Sequence, residues 1–585
     1  MNTKPYISVV IPTYNRAGFL AAAIDSVLSQ KGKWDLEVIV IDDGSTDDTE
    51  RIVKAYTSKV RYFKIPHSGL PAVARNFGIT KAKGELIAFQ DSDDQWPLDK
   101  LSIEVPLFDG PNTVMAYGQA KIMGSDGKVS SKNVVALNKI RDGESFSSLI
   151  KENVVSTLTV MVRKEALEAV GGFNESQALK AIEDYELWLR LAAKFPRGLK
   201  SLNRTLAFYR VHEGNISSAD SLQAIERLLN VYNYAWQNSE LSDSQRTALE
   251  KQLFTMQENW SRLKNELGDK PTISVVMGIY KDESYVKEAI QSILDQTYKN
   301  FEFIIIDDGA RDNSAKIAGD FTDPRIRIIH QTNHGLVDAL NKGVRLARAD
   351  FISRQDADDI SLPHRFDEEL EWINADSRRG LVGGFFEYMD EKNKLTGTTM
   401  TSTTKHIDIV RHMYFDNPIG HGTALIRKRA VDEAGGYRND YGPNEDYDLW
   451  RRIAQNWEIG QIPKVVYRYR LNPVGISSTN SESQHKYFAE LIKDIWKGPL
   501  YKKSVWAIIR DAGYYKNLNS PYADAVYRQY KSHQVRLSFE FLIHGKLWTG
   551  YKNSLAALII YPLGAIRLWN TWLWAPIKLI AGKAE

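Results

Sequence analysis

The sequence predicts an α/β protein made of two tandem copies of one domain, each a mostly parallel sheet covered by helices. A helical linker is expected between the copies and a helical region at the C-terminal end. Three observations carry this expectation. Short motifs recur in the same order at an offset of roughly 260–266 residues. Within each copy, β-rich apolar runs alternate with amphipathic segments of helical period. At 585 residues the chain is also too long for one ordinary domain.

The repeat is read directly. Ile7-Ser-Val-Val-Ile-Pro-Thr-Tyr-Asn-Arg16 is echoed by Ile273-Ser-Val-Val-Met-Gly-Ile-Tyr-Lys-Asp282, and Val40-Ile-Asp-Asp-Gly44 by Ile305-Ile-Asp-Asp-Gly309. Gln90-Asp-Ser-Asp-Asp94 returns as Gln355-Asp-Ala-Asp-Asp359, and Glu183-Asp-Tyr-Glu-Leu-Trp188 as Glu445-Asp-Tyr-Asp-Leu-Trp450. A period this long marks a duplicated domain, not a solenoid unit. In the first copy, strands are expected over residues 7–11, 36–41, 60–65 and 85–89, with helices over 18–30, 46–57 and 70–80. Ligands of such sheets bind beyond the carboxyl ends of strands, where these motifs fall. Domains are therefore placed at residues 1–220 and 271–480, with a polar helical linker at 221–270 and a helical region at 481–585.

Composition removes several classes. A net charge of +3 gives no basic stripe for nucleic acid, so no nucleic-acid partner is expected. The absence of cysteine excludes disulfides, thiolate metal sites and thiol nucleophiles. No secretory signal precedes the first strand, and nothing in the first 500 residues resembles ~20 unbroken apolar residues, so the body is expected in the cytoplasm. A nucleotidyltransferase would carry a Gly-rich phosphate loop near the first strand, and Pro12-Thr-Tyr-Asn-Arg16 is not one.

The recurrent acids suggest chemistry. Asp91 with Asp93, and Asp356 with Asp358, follow apolar strands; in an extended segment residues i and i+2 address one ligand. Hard carboxylate oxygens suit Mg²⁺ or Mn²⁺, which would bind a diphosphate and neutralise a leaving nucleotide. Asp42-Asp43-Gly44 and Asp307-Asp308-Gly309 read either as strand-to-helix turns or as carboxylates for a base and a ribose. Glu183-Asp184 and Glu445-Asp446 open helices, where acids suit the dipole. Asp184 or Asp446, set opposite a metal-bound donor, could also take a proton from an attacking hydroxyl.

The ordered set Pro-Thr-Tyr-Asn-Arg, Asp-Asp-Gly-Ser-Thr-Asp, Asp-Ser-Asp-Asp, Glu-Asp-Tyr-Glu-Leu-Trp and Tyr209-Arg-Val-His212…Asn215-Ile-Ser-Ser218 resembles family 2 glycosyltransferases of GT-A fold, a Rossmann-like architecture. The resemblance covers about residues 5–220 and again 271–480. It implies inverting transfer from a nucleoside diphosphate sugar, usually a UDP- or dTDP-sugar, with Mn²⁺ or Mg²⁺. It also implies donor binding by Pro12, Tyr14, Asp42, Asp43 and Asp91, metal binding by Asp93 and His212, and Asp184 as base. In the second copy the matching positions are Tyr280, Asp307, Asp308, Asp356, Asp358 and Asp446. Glu183, Trp188, Glu445, Trp450 and the upstream His421 are expected near the acceptor. The second copy departs from the pattern at Gly278-Ile-Tyr-Lys281, and has Asn472 where His212 would align. Two donor sites in one chain suit a growing surface polysaccharide, of capsule or O-antigen type, with a glycan or lipid-linked glycan acceptor.

Residues 547–584 are rich in Trp, Tyr, Leu and Ile, with Lys546, Lys552, Arg567, Lys578 and Lys583 in or beside them. Trp548, Trp569, Trp572 and Trp574 suit a lipid–water boundary, and Pro562 interrupts the apolar run. The expectation is an amphipathic tail lying on the cytoplasmic membrane surface, with a helical pair packed on the protein and a true or re-entrant span as the competing arrangements.

Overall fold

A computed structural model describes residues 6–56, 59–134, 145–212, 221–413 and 417–472. They form two compact units that divide at Asp269 and Lys270. The C-terminal tail, residues 481–585, and Asn215-Ile-Ser-Ser218 lie outside the described residues. Among the described residues, no helix is long and apolar enough to cross a membrane.

In the first unit, strands Val60–Lys64, Leu36–Asp42, Ile7–Thr13 and Leu86–Phe89 lie side by side in that order, all parallel. Ile7, Val9, Val10 and Ile11 are all fully buried, which is why this strand reads as a continuous apolar run: helices cover both faces. Helix Pro71–Lys81 begins with proline at its first turn and packs down on the strands. Its Gly78 permits the contact, since a Cβ there would lie 2.4 Å from Val10. Gly343 makes the same approach to Val276 in the second unit.

Beyond Leu86–Phe89 the sheet changes character. Met161–Arg163 runs antiparallel to Leu86–Phe89 and to Met115–Met123, and Val129–Asn133 adds an antiparallel edge. Leu199–Arg210 then pairs in parallel with Met115–Met123. The sheet is thus parallel in its first half and mixed in its second. The second unit repeats this order with Ile326–Gln331, Phe301–Asp308, Ile273–Ile279, Phe351–Arg354, Leu425–Arg427, Arg379–Met389 and Glu458–Arg470.

The segment expected as a linker is a helical pair, Ser221–Asn238 and Asp243–Glu266. Ser242 and Gln245 close the second helix with reciprocal side-chain-to-backbone bonds. Val231, Tyr232, Ala235, Leu249 and Leu253 are buried in the first unit's core, and the Tyr232 hydroxyl donates to Ile150 O at 2.7 Å. These helices therefore belong to the first unit and brace helix Glu183–Lys194.

In each unit the second strand lies on one side of the first and the fourth on the other. The strand order, not the chain direction, reverses there, which opens a crevice at the carboxyl ends where the recurrent acids of the strand-end motifs fall.

Candidate active sites

The Asp-Asp-Gly turns are built by their own carboxylates. Asp42 is fully buried; its Oδ1 accepts from Ser45 N at 2.7 Å and its Oδ2 from the Tyr62 hydroxyl at 2.5 Å. Burial and this carboxylate together push the Tyr62 phenol well up. Asp43 accepts from Ser68 N and Gly69 N at 2.8 and 3.0 Å, pinning the following loop. Asp308 does the same to His334 N and Gly335 N, and Asp307 accepts from Ala310 N. Gly44 at φ +82° supplies the left-handed turn beneath. Above it the exposed Tyr14 ring stacks on His67, centroids 4.1 Å apart. This makes an aromatic shelf beside Pro12, which lies on the first strand opposite Ile41. Tyr280 occupies the equivalent place and is 41% exposed.

The Asp-x-Asp segments were expected as extended chain, but they are turns. Asp94 N bonds back to Asp91 O, and Asp359 N to Asp356 O. Gln355 shapes the second turn by donating to the carbonyls of Asp356 and Asp359. The last acid of each motif is structural: Asp94 Oδ1 accepts Arg210 N, and Asp359 Oδ1 accepts Arg470 N, both at 2.7 Å. Arg210 and Arg470 return the contact through Nε to the carbonyls of Asp93 and Asp358. The final long strand is thereby locked to the turn, which brings His212 to Asp93: His212 Nε2 lies 3.0 Å from Asp93 Oδ2. In the second unit Asn472 Nδ2 donates to Asp358 Oδ2 at the same distance.

Around the second acid of this motif the two units differ in charge. Arg16 Nε donates to Asp93 Oδ2 at 3.2 Å. The aligned residue in the second unit is Asp282, whose carboxyl accepts Tyr280 N and is pushed up to about 7 by burial and by neighbouring acids that include Asp358. Asp91, Asp93 and His212 offer carboxylate oxygens and one imidazole nitrogen, and Asp356, Asp358 and Asn472 offer oxygens alone, all donor types that Mg²⁺ or Mn²⁺ accepts. Among the described residues, no three His, Asp or Glu side chains are preassembled as a metal cage. The remaining ligands would have to come from diphosphate oxygens and water.

The base candidates stand at helix starts. Asp184 Oδ2 accepts the Thr157 hydroxyl at 2.5 Å, and Oδ1 accepts Tyr185 N at 2.7 Å. Asp446 is held by Asn417 Nδ2 at 2.9 Å and Tyr447 N at 2.6 Å. Burial raises both to about 6, with the Glu183 charge adding at Asp184. Glu445 goes higher, to about 8, through burial and the Asp446 charge.

Between acids and base lies a buried guanidinium that sequence reasoning missed. Arg75 Nη1 donates to Glu183 at 2.8 Å and Nη2 to Asp91 at 2.9 Å, so one side chain joins the two motifs. In the second unit Arg354 Nη2 donates to Asp356 at 2.7 Å. Thr157 and Asn417 also escaped notice. Each is an ordinary polar residue in a loop, and only its place opposite the base distinguishes it.

The acceptor-side expectations divide. Glu183 and Glu445 are beside the base, and His421 Nε2 lies 3.1 Å from the Tyr437 hydroxyl, with burial and Arg354 holding the imidazole neutral. Trp188 and Trp450 are corrected: both indoles are fully buried. They sit one helical turn beyond the base, on the face that packs into the core, with Trp188 edge-on to Phe173.

Each unit thus sets paired acids and a helix-start carboxylate at a point where strand order reverses, the kind of place where α/β enzymes bind ligands. The Glycosyl transferase family 2 model matches residues 8–171 and 274–436, together more than half of the chain, which therefore belongs to that family as a tandem glycosyltransferase. An uncharacterized glycosyltransferase of Rickettsia felis is 26% identical over 495 residues, covering 80% of each protein. The chondroitin synthase of Escherichia coli is 24% identical over 532 residues, covering 83% of this chain and 73% of that one. The hyaluronan synthase of Pasteurella multocida is 22% identical over 501 residues, 79% of this chain but 49% of that enzyme. Among solved structures, Staphylococcus aureus TarS in complex with UDP matches 45% of this chain and 74% of its own, at 22% identity and a TM-score of 0.34.

Proposed function

We propose that both copies catalyse inverting, metal-dependent sugar transfer from nucleoside diphosphate sugars, and that the chain builds a bacterial surface polysaccharide of capsule or O-antigen type. The observation that carries the proposal is the repeated pairing of a raised, hydrogen-bonded helix-start carboxylate with an Asp-x-Asp turn across one crevice. In each copy the acceptor hydroxyl oxygen attacks the anomeric carbon as the bond to the diphosphate oxygen breaks. Asp184 or Asp446 takes the hydroxyl proton, and no sugar–enzyme bond forms. Mg²⁺ or Mn²⁺ would be held by Asp93 with His212, or by Asp358 with Asn472, and would neutralise the departing diphosphate. Asp91 and Asp356 face the ribose and metal. Tyr14 with Pro12, and Tyr280, flank the base, and the Asp42–Asp43 and Asp307–Asp308 turns shape its pocket. Glu183, Glu445 and His421 border the acceptor.

The acceptor in this proposal is a glycan or lipid-linked glycan. The tryptophan-rich tail would keep the enzyme on the cytoplasmic face of the membrane. Liposome flotation of the full chain against one cut before Trp548 tests that arrangement, and equal flotation refutes it.

The catalytic proposal is tested by screening UDP- and dTDP-sugars for nucleoside diphosphate release with Mn²⁺ and then with chelator, and by reading the product anomer by NMR. Chelator-sensitive release and an inverted anomer are expected; retention of configuration contradicts it. One observation favours a second account, in which a single copy is catalytic and the other binds acceptor. The second copy replaces both Arg16 and His212, the two nitrogen side chains on Asp93, with Asp282 and Asn472.

A further inference from the structure

The two copies place a guanidinium on the first carboxylate of the Asp-x-Asp turn from different positions in the chain. Their helices can be matched without ambiguity. The Asn76 amide donates to Phe173 O and accepts from Phe173 N, both at 2.8 Å, while Asn341 makes the same two bonds to Tyr437, at 3.0 and 2.9 Å. Gly78 and Gly343 also make the same approach to the first strand. This alignment sets Arg75 on Leu340, Phe89 on Arg354 and Phe173 on Tyr437.

In the first copy the cation therefore comes from the helix, and the strand position holds Phe89, edge-on to Phe173 at 5.2 Å. In the second copy the helix position holds the buried Leu340, and the cation comes from the strand, 2% exposed. Either way one guanidinium and one apolar side chain fill the space. Either way the guanidinium lands on the first carboxylate of the Asp-x-Asp turn, at 2.9 or 2.7 Å. The Arg75 carbon lies 5.4 Å over the Phe173 ring, and the ring that replaces it, Tyr437, gains a hydroxyl that meets His421.

We propose that Arg354 is a positioning residue of the second site that does from the strand one of the two things Arg75 does from the helix: it holds the donor-side carboxylate, here Asp356, whereas Arg75 adds a hydrogen bond to Glu183 beside the base. A buried cation is costly to desolvate, so its presence in both copies at different positions argues for a requirement at the site itself. A core that merely needed filling would use Leu or Phe at both positions, as each copy already does at one of them. The inference rests on the donor-binding reading of the crevice. It adds to that reading a residue that alignment of the two copies by motif alone would miss.

The test uses the full chain, titrated with UDP and with dTDP in the presence of Mn²⁺, alongside release of nucleoside diphosphate from the donor whose turnover Asp446→Asn abolishes. Arg354→Leu is expected to weaken nucleotide binding at one of two sites at least ~10-fold and to cut that turnover ~100-fold. The relocated variant Leu340→Arg/Arg354→Phe/Tyr437→Phe, which copies the first site, is expected to recover both to within ~10-fold. The reverse relocation in the first copy, Arg75→Leu/Phe89→Arg/Phe173→Tyr, is expected to behave alike. Wild-type binding and turnover in Arg354→Leu would overturn the inference. So would two relocated variants that are no better than the single substitutions, whether folded or not, because interchangeability is the claim. A wild-type chain that binds neither nucleotide would instead sink the donor reading beneath it.

Discussion

A carboxylate serves as a base near neutrality only if its proton affinity is raised without its being left uncharged at working pH, and burial raises Asp184 and Asp446, the proposed bases, to about 6. The base must be ionised, so turnover at each site should rise with pH through about 6 and then level off. A pH–rate profile of each donor checks this, and Asp184→Asn or Asp446→Asn should remove ~10³-fold of its own donor's turnover. Stability should move the other way. A carboxyl raised in the folded state favours folding below its unfolded pKa, and that contribution is lost as pH rises through about 6. Asp184→Asn should therefore raise the melting temperature relative to wild type more at pH 8 than at pH 4, a trade of stability for function visible by calorimetry. At the metal positions, Arg16 against Asp93 and Asp282 in the equivalent place predict that the first site needs more Mn²⁺ for half-maximal release than the second. A metal titration with each donor checks the order. The acids were legible in the sequence because they recur at one offset, and recurrence separates function from acidic surface. Arg75 and Arg354 were not, because the guanidinium changes position between copies and so never appears as a repeat among the 76 Lys and Arg.

The parallel half of each sheet was legible because its strands are buried on both faces and read as unbroken apolar runs. The mixed half was not: Met161–Arg163 and Leu425–Arg427 are three residues long, too short for any period, and their place is set by pairing. The Asp-x-Asp turns escaped for a related reason, since side chains from the distant Arg210 and Arg470 strands fold them. Packing of the short helices after these turns depends on a buried ion pair at matching positions, Lys100–Glu104 and Arg365–Glu369, all four side chains fully buried. Burial raises both glutamates to about 7, and their cations hold that rise in check. Removing one partner, as in Lys100→Met, should cost about 3–5 kcal/mol by leaving an uncompensated buried carboxyl, whereas Lys100→Met/Glu104→Leu should cost far less. Urea denaturation of both variants measures the difference; equal losses would show that the pair's volume, not its charge balance, matters.

Across the whole molecule, duplication explains why so much was legible: each motif had an internal control some 265 residues away. It also shows where the copies have parted, at Arg16 and Asp282, His212 and Asn472, Thr157 and His421, and at the relocated guanidinium. These differences face the crevice, while framework contacts such as Ser8–Glu37 recur as Ser274–Glu302. Divergence at the crevices is what two different sugar transfers on one scaffold require. The most direct test is nucleoside diphosphate release from a panel of nucleotide sugars by wild type, Asp184→Asn and Asp446→Asn. Two active sites of different specificity predict that each substitution abolishes release from a different donor and spares the other. Loss of all release in one variant, with wild-type release in the other, would contradict the account and leave a single catalytic copy.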